Sequence, residues 1–257
     1  WNVFGGLSYT IGNNDLNITN MIINDSESAI HTKLKFKKRF SNRFKLNFGT
    51  EYLASHFEEK FSDTNPIQEI YGYDNNIAAV FVEADIFLSK DIAFKAGLRT
   101  DYSELFKTMN VAPRLSLAYK TGKSSQLSVA YGNFYQNPSS DILKFNQNLR
   151  AQNTAHYILN YQYNADRKIF RAEAYYKDYK NLVKYDTEFT QFDSNYDSNG
   201  YGYAQGIDLF WRDSKSIKNI DYWVSYSLLD TKRDYRNYLN EAQPNFANTH
   251  NLSIVGK

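Results

Sequence analysis

The sequence has no cysteine. Disulfide staples, thiolate catalysis and cysteine-based zinc sites are therefore excluded, while no compartment is identified. Proline is scarce, 4 in 257 residues, so long uninterrupted elements are permitted. No apolar run approaches the roughly 18 residues of a membrane-spanning helix; the longest fully apolar stretch is 77–82. Excess charge of one sign is missing too. A formal net charge of +2 gives no electrostatic footprint for nucleic acid, and no nucleic-acid partner is expected. No stretch holds a 3.6-residue period over about ten residues. A Gly-x-Ser-x-Gly elbow and any plausible nucleophile–base set are also absent, so no catalytic residue is assigned and an enzyme is not expected.

What is present is aromatic and alternating. The chain carries 22 Tyr, 18 Phe and 3 Trp, a density that suits long strands and bilayer interfaces. From 76 to 104, Ala78, Val80, Val82, Ala84, Ile86 and Leu88 share one phase, and Ala79, Phe81, Glu83, Asp85 and Phe87 the other. Ser89-Lys90-Asp91 interrupts, and then Ile92, Phe94, Ala96, Leu98, Thr100 and Tyr102 oppose Lys95, Gly97, Arg99 and Asp101. Two period-2 runs around a short polar turn make a β-hairpin. The same reading places twelve strands at roughly 1–10, 29–40, 43–57, 76–88, 92–103, 111–120, 125–136, 154–163, 169–183, 201–213, 219–229 and 248–257.

The connections between them sort by parity. One set is short: 41–42, 89–91, 121–124, 164–167 and 214–218. The other reads as mostly long and polar: 11–27, 58–75, 104–110, 137–153, 184–200 and 230–247. Short turns at one end and long loops at the other are the pattern of an outer-membrane barrel. A Greek-key sandwich would not sort its turns this way. Aromatics of the apolar phase gather at both strand ends. Phe40, Phe44, Tyr119, Tyr163, Phe170 and Trp211 lie near short turns; Tyr52, Tyr102, Tyr135, Tyr157 and Tyr226 are expected near the long loops. Two girdles are what a lipid-facing band requires. Mean hydropathy is nonetheless only -0.62, because alternate residues alone meet lipid. Strand number and length imply a lumen too wide for side chains to fill, and the charged phase then lines water. The fold class expected is thus all-β: a transmembrane antiparallel up-and-down barrel.

Isolated motifs carry little chemistry. Thr121-Gly122-Lys123-Ser124 ends like a phosphate-binding loop, but Leu117 stands where that loop needs glycine and no helix follows, so it reads as a hairpin turn. The stretch 195–200 begins like a calcium loop, but its twelfth position is Gly206 and not Glu. His31, His56, His156 and His250 form no metal pair. No metal and no cofactor are expected. Glu58-Glu59 reads as solvated.

Several blocks together resemble the mid-barrel of TonB-dependent outer-membrane transporters. They are 97–103 (GLRTDYS), 112–119 (APRLSLAY), 130–136 (AYGNFYQ), 173–183 (EAYYKDYKNLV), 206–209 (GIDL), 223–230 (WVSYSLLD) and 249–252 (THNL). Their order and spacing agree across nearly the whole of 1–257, and the style resembles receptors of the Bacteroidetes group. The resemblance implies a barrel of 22 strands around an N-terminal plug, of which this chain supplies about twelve, in the middle. Both ends read as interrupted, so an internal piece of a longer chain is expected, with the plug and the TonB-contacting segment lying outside it.

On that reading the function is active import of a scarce nutrient (siderophore, vitamin, glycan or peptide) across the outer membrane of a Gram-negative bacterium, driven through TonB. The implied partners are outer-membrane lipid, the protein's own plug and remaining strands, the TonB system acting through the plug, and a surface lipoprotein lid in some receptors. Aromatics read on long loops are the candidate substrate contacts: Tyr71, Tyr73, Phe189, Phe192 and Tyr196. Charged residues of the inner phase are the candidate lumen and plug contacts: Lys33, Lys35, Glu83, Asp85, Arg99, Asp101, Arg114, Arg171 and Glu173. A passive porin-like channel and a soluble β-rich binding or adhesion module are the alternatives.

Overall fold

Each strand pairs antiparallel with its sequence neighbours, which is what short hairpin connections impose. In the computed structural model, which describes residues 1–63 and 68–257, the result is one 12-stranded sheet in chain order with β1 and β12 at its edges. The strands are β1 (Asn2–Ile18), β2 (Met21–Arg39), β3 (Phe44–Ser62), β4 (Glu69–Phe87), β5 (Ile92–Ser103), β6 (Thr108–Lys120), β7 (Ser125–Gln136), β8 (Gln152–Ala165), β9 (Lys168–Lys184), β10 (Asp197–Asp213), β11 (Tyr222–Asp234) and β12 (His250–Gly256). The one helix among the described residues, α1 (Ser140–Leu143), lies in the β7–β8 connection. No helix is long and apolar enough to cross a membrane.

The strand number and order match the alternation, but several strands are longer than it suggested, β1 to β4 among them. β1 to β4 run 17, 19, 19 and 19 residues, about twice the 9–11 needed to cross a bilayer. The stretch 11–27, expected as a long loop, is a continuous hairpin whose register runs from Asn2↔Lys37 to Ile18↔Met21. Thr19 at φ 55° begins its turn, a left-handed conformation of the kind such tight hairpin turns use. Polar side chains tie the two strands together: Asn24 donates to Asp15 at 2.6 Å and Asn14 to Asp25 at 3.4 Å. The stretch 58–75 is likewise mostly strand, leaving a connection at 63–68, of which 64–67 lie outside the described residues. Parity of connection length therefore holds only for the second half of the chain, at 137–151, 185–196 and 235–249.

Across the sheet the two phases stay in register. On one face Phe36, Phe48, Val82, Leu98 and Pro113 form a row, and Leu117, Val129, Leu159, Ala174 and Ile207 another. On the other face Lys37, Asn47, Glu83, Gly97, Arg114, Gly132, His156 and Lys177 align. Pro113 sits where its missing N–H costs nothing. The β6–β7 ladder begins at Arg114↔Gly132, so above that row β6 pairs only with β5 and β7 only with β8.

Large apolar side chains cover the first face yet remain exposed, among them Val80, Val82, Leu98, Leu115, Val129 and Leu159. A soluble sandwich would bury this face. Aromatic ladders bound it. Toward the short connections, Tyr161 meets Phe170 at 6.2 Å, Phe170 meets Trp211 at 6.3 Å, and Phe40 meets Phe44 at 5.5 Å. Toward the other end, Tyr131, Tyr157, Tyr176 and Tyr203 follow one another at 5.2, 6.3 and 6.4 Å. Tyr226 does not belong with the latter group. It pairs with Leu209 in the half of β11 next to the short connection, because the β10–β11 turn closes near Tyr222.

Candidate functional site

Polarity changes sides along β1–β4. Up to the row Ile30–Ala54, the exposed apolar face described above holds Leu34, Phe36 and Phe48, and the opposite face holds Lys33, Lys35 and Glu51. Beyond that row the first face turns polar, with Ser28, His56 and Asp74 aligned and Asn24 opposite Lys60. The opposite face now carries Phe57 and Tyr73, then Tyr71, then Leu16, Ile23 and Phe61. Such a switch is expected where strands leave lipid: the outer face must become wet, and the inner face is free to bind apolar groups.

The only hydrophobic core cluster among the described residues sits on this inner surface, at the end with the longer connections. Phe106, Ile142, Leu143, Leu149 and Val183 form it, with Tyr73, Leu105 and Tyr196 packed against it. The β7–β8 connection folds inward to make it. Leu143 of α1 is 1% exposed, and Ser140 Oγ lies 3.0 Å from Tyr73 Oη. Lys144 Nζ reaches Glu59 at 2.5 Å, with both side chains largely buried, and Phe145 meets the Tyr71 ring edge-on at 5.0 Å. Glu59 is thus a paired anchor, not the solvated carboxylate that its sequence suggested.

The five aromatic candidates divide. Tyr71 and Tyr73 are on strand β4, not on a loop, because β3 and β4 continue past the expected boundary. Tyr73 packs on Phe57 at 5.7 Å, and the Tyr196 hydroxyl is held by Gln191, accepting from its N–H and donating to its carbonyl, both at 2.8 Å. Burial raises the Tyr196 phenol above its ordinary range. Those two rings support the cap. Phe189 and Phe192 lie in the β9–β10 connection and are each 70% exposed; Phe192 reaches the Tyr71 ring at 6.1 Å. The connection is fixed by Asp186, which accepts from Asn195 N at 2.9 Å and from its amide. Those hydrogen bonds hold the Asp186 carboxyl below the usual carboxylate range. Phe145 joins this surface without having been singled out as a contact. It lies in the β7–β8 connection, where no local period marks it.

The charged candidates share the second face. Glu51 accepts from both Lys33 and Arg99, and Arg99 also lies 3.7 Å from Asp101. Lys95 bridges Glu83 at 3.1 Å and Asp85 at 3.2 Å. Lys35 and Arg114 border the same recess as Glu51, Glu83 and Arg99, and Arg114 stacks on Phe134 at 4.7 Å. Glu173 accepts from Asn160 at 3.3 Å. Arg171 lies between Gln162 and Phe210 in register, away from the first group. The residues resembling a phosphate loop are the β6–β7 turn, closed by Thr121 Oγ1 donating to Ser125 at 2.8 Å. Asp197, in the stretch resembling a calcium loop, caps Asn199 N at 2.8 Å. No cluster of three metal-ligating side chains occurs among the described residues.

A comparison with protein families matches residues 1–256 to "TonB dependent receptor-like, beta-barrel". By sequence, no curated protein matches. Solved structures of the same architecture include the copper transporter OprC (TM-score 0.67, 14% identity, covering 90% of this chain and 43% of that one). The siderophore receptor PirA from Pseudomonas aeruginosa superposes at 0.64 with 12% identity, over 90% of this chain and 49% of that one. A chain of the FpvAI–pyocin S2 complex does so at 0.72 with 11% identity, over 99% and 41%. The chain spans less than half the length of each.

Proposed function

Because the chain belongs to the TonB-dependent receptor-like β-barrel family, we propose that it is part of the wall of an active outer-membrane importer. Members of this family are outer-membrane β-barrel proteins of Gram-negative bacteria, receptors and transporters by trade and not enzymes. In this reading the exposed apolar face meets lipid, and the charged face lines the lumen. The end with the longer connections looks outward from the cell. Lys33, Lys35, Glu83, Asp85, Arg99, Asp101 and Arg114, with Arg171 and Glu173 further round, face a plug domain supplied by the remainder of the protein. TonB acts through that plug. The Bacteroidetes-like style of the strand blocks belongs to the same proposal, as does a lipoprotein lid over the long connections.

The observation that carries this reading is the polarity switch along β1–β4. Below it the sheet has the cross-section of a barrel wall in lipid. Above it a four-stranded extension turns aromatic side chains inward, where Tyr71, Phe189 and Phe192 stand exposed or half-exposed beside the cap. Tyr73 and Tyr196 hold that surface in place. A nutrient with an apolar or aromatic part is the class such a lining retains; siderophores are one such class, and PirA is described as a siderophore receptor.

The test is uptake by the full-length parent in cells. Import should require the proton-motive force and should vanish when the TonB-contacting segment is deleted. Undiminished import without that segment would overturn energy coupling and favour a passive channel.

A further inference from the structure

The apolar face is not evenly filled. From β5 to β9 it holds an open groove of about 680 Å³, lined by Phe94, Leu117, Val129, Leu159 and Ala174 among others. Val129, Leu159 and Ala174 are consecutive partners in one row, and Tyr131, Tyr157 and Tyr176 are the next row toward the longer connections. The small side chain of Ala174 sets the depth, since a larger residue would close the row. The lining is almost wholly apolar, while its upper rim is a ladder of three phenols.

Two features make this more than ordinary lipid contact. The hydroxyls of Tyr131, Tyr157 and Tyr176 make no hydrogen bond to any described residue, in contrast to Tyr203 next to them, which donates to Asp230 at 3.2 Å. A phenol at a membrane boundary without a protein acceptor takes one from water or headgroup. Immediately above the same row the β6–β7 ladder stops, at Arg114↔Gly132, so backbone polar groups of the diverging strands are available at the groove's upper end. The groove crosses the strands over two rows, one apolar and one of phenols, and that pairing of an apolar lining with donors suits an amphiphile.

We propose that this groove seats one acyl-ester membrane lipid, with an acyl chain on Val129 and Ala174 and its ester carbonyls accepting from Tyr131, Tyr157 and Tyr176. The lipid fills this groove in the face, bracing β6 to β9 below the seam where β6 and β7 part. This site rests on the reading that the apolar face meets lipid, and it goes beyond that reading by requiring a discrete, retained molecule.

The experiment is native mass spectrometry of the full-length parent in mild detergent, titrated with dioleoyl phosphatidylglycerol. One lipid adduct should persist under activation that strips the rest. Ala174→Trp, which fills the slot, should abolish it. Tyr157→Phe should weaken it several-fold, and Val82→Trp, on the same face outside the groove, should leave it unchanged. Heat-modifiable gel migration checks that each variant is folded. No discrete adduct, or one that survives Ala174→Trp, would overturn the site. Neither result touches the wider reading, which is decided by lipid-soluble probes at Val82 whether or not any lipid is retained.

Discussion

Arg99 on β5 reaches across β4 to Glu51 on β3, with Nη1 2.5 Å from Oε2. The residue between Glu51 and Asp101 in the row is Ala79, 4% exposed beneath the bridge. A small side chain on the middle strand lets charges two strands apart meet, and Lys33 completes the set from β2. One carboxylate thereby joins β2, β3 and β5 across β4.

Removing that carboxylate should be costly. Glu51→Ala leaves Lys33 without its acceptor and Arg99 with only Asp101, at 3.7 Å. The expected loss is about 1–3 kcal/mol of barrel stability, kept modest because Lys33 is partly exposed and screened. Urea unfolding in micelles measures it. In a double-mutant cycle with Arg99→Met, the two losses should be clearly non-additive.

The cap should open when its most buried side chain is cut. Leu143→Ala empties a site that is 1% exposed and should cost about 2–4 kcal/mol, felt locally. Hydrogen exchange should quicken through 137–151 and around Tyr73 and Val183, with the middle of the sheet unchanged. Uniform protection in the variant would show that the connection is not held by this cluster.

The β9–β10 connection should loosen in acid. Asp186 has its folded pKa below the unfolded value, through hydrogen bonds from Asn195. Its contribution is therefore full above the ordinary carboxylate pKa of about 3.9 and is lost as pH falls through the depressed folded value. Exchange or limited proteolysis within 185–196 should rise only in that acid range. Asn195→Ala should raise the Asp186 pKa and loosen the connection already at neutral pH.

Substrate affinity should depend on the exposed rings more than on the packed ones. Phe192→Ala removes a ring exposed to solvent and in contact with Tyr71, so it should weaken binding to the parent without lowering its thermal stability. Tyr73→Ala should lower stability first, since Phe57, Ser140 and the buried cluster lose their contact. Equal effects of the two on both readouts would contradict the division of roles.

The sequence pattern and the structure agree where one face is apolar and the other charged. There alternation is forced, and β5 and β7 have the limits that the alternation set. Agreement fails above the row of Ile30, where both faces of the hairpins touch water or a cap. Polar residues such as Asn14, Asp15, Asn24 and Asp25 then pair just as well as apolar ones, and period-2 contrast fades from the sequence. The inward cap was also hidden. Leu143, Leu149 and Val183 come together only through long-range folding, which no local period encodes. The Glu51–Arg99 bridge sits between these cases: both residues were visible as inner-face charges, but their meeting depended on the small Ala79 between them.

If the face bearing Val82 meets lipid and the face bearing Glu83 does not, adjacent positions on β4 should report opposite surroundings. The most direct test uses neighbouring single cysteines, Val82→Cys and Glu83→Cys, in a cysteine-free version of the parent reconstituted in bilayers. Each carries a nitroxide, and its collision rates with oxygen and with a water-soluble nickel chelate are read by electron paramagnetic resonance. The account predicts high oxygen and low nickel accessibility at 82, and a clear drop in the oxygen-to-nickel ratio at 83. The reverse order at these two positions would contradict it.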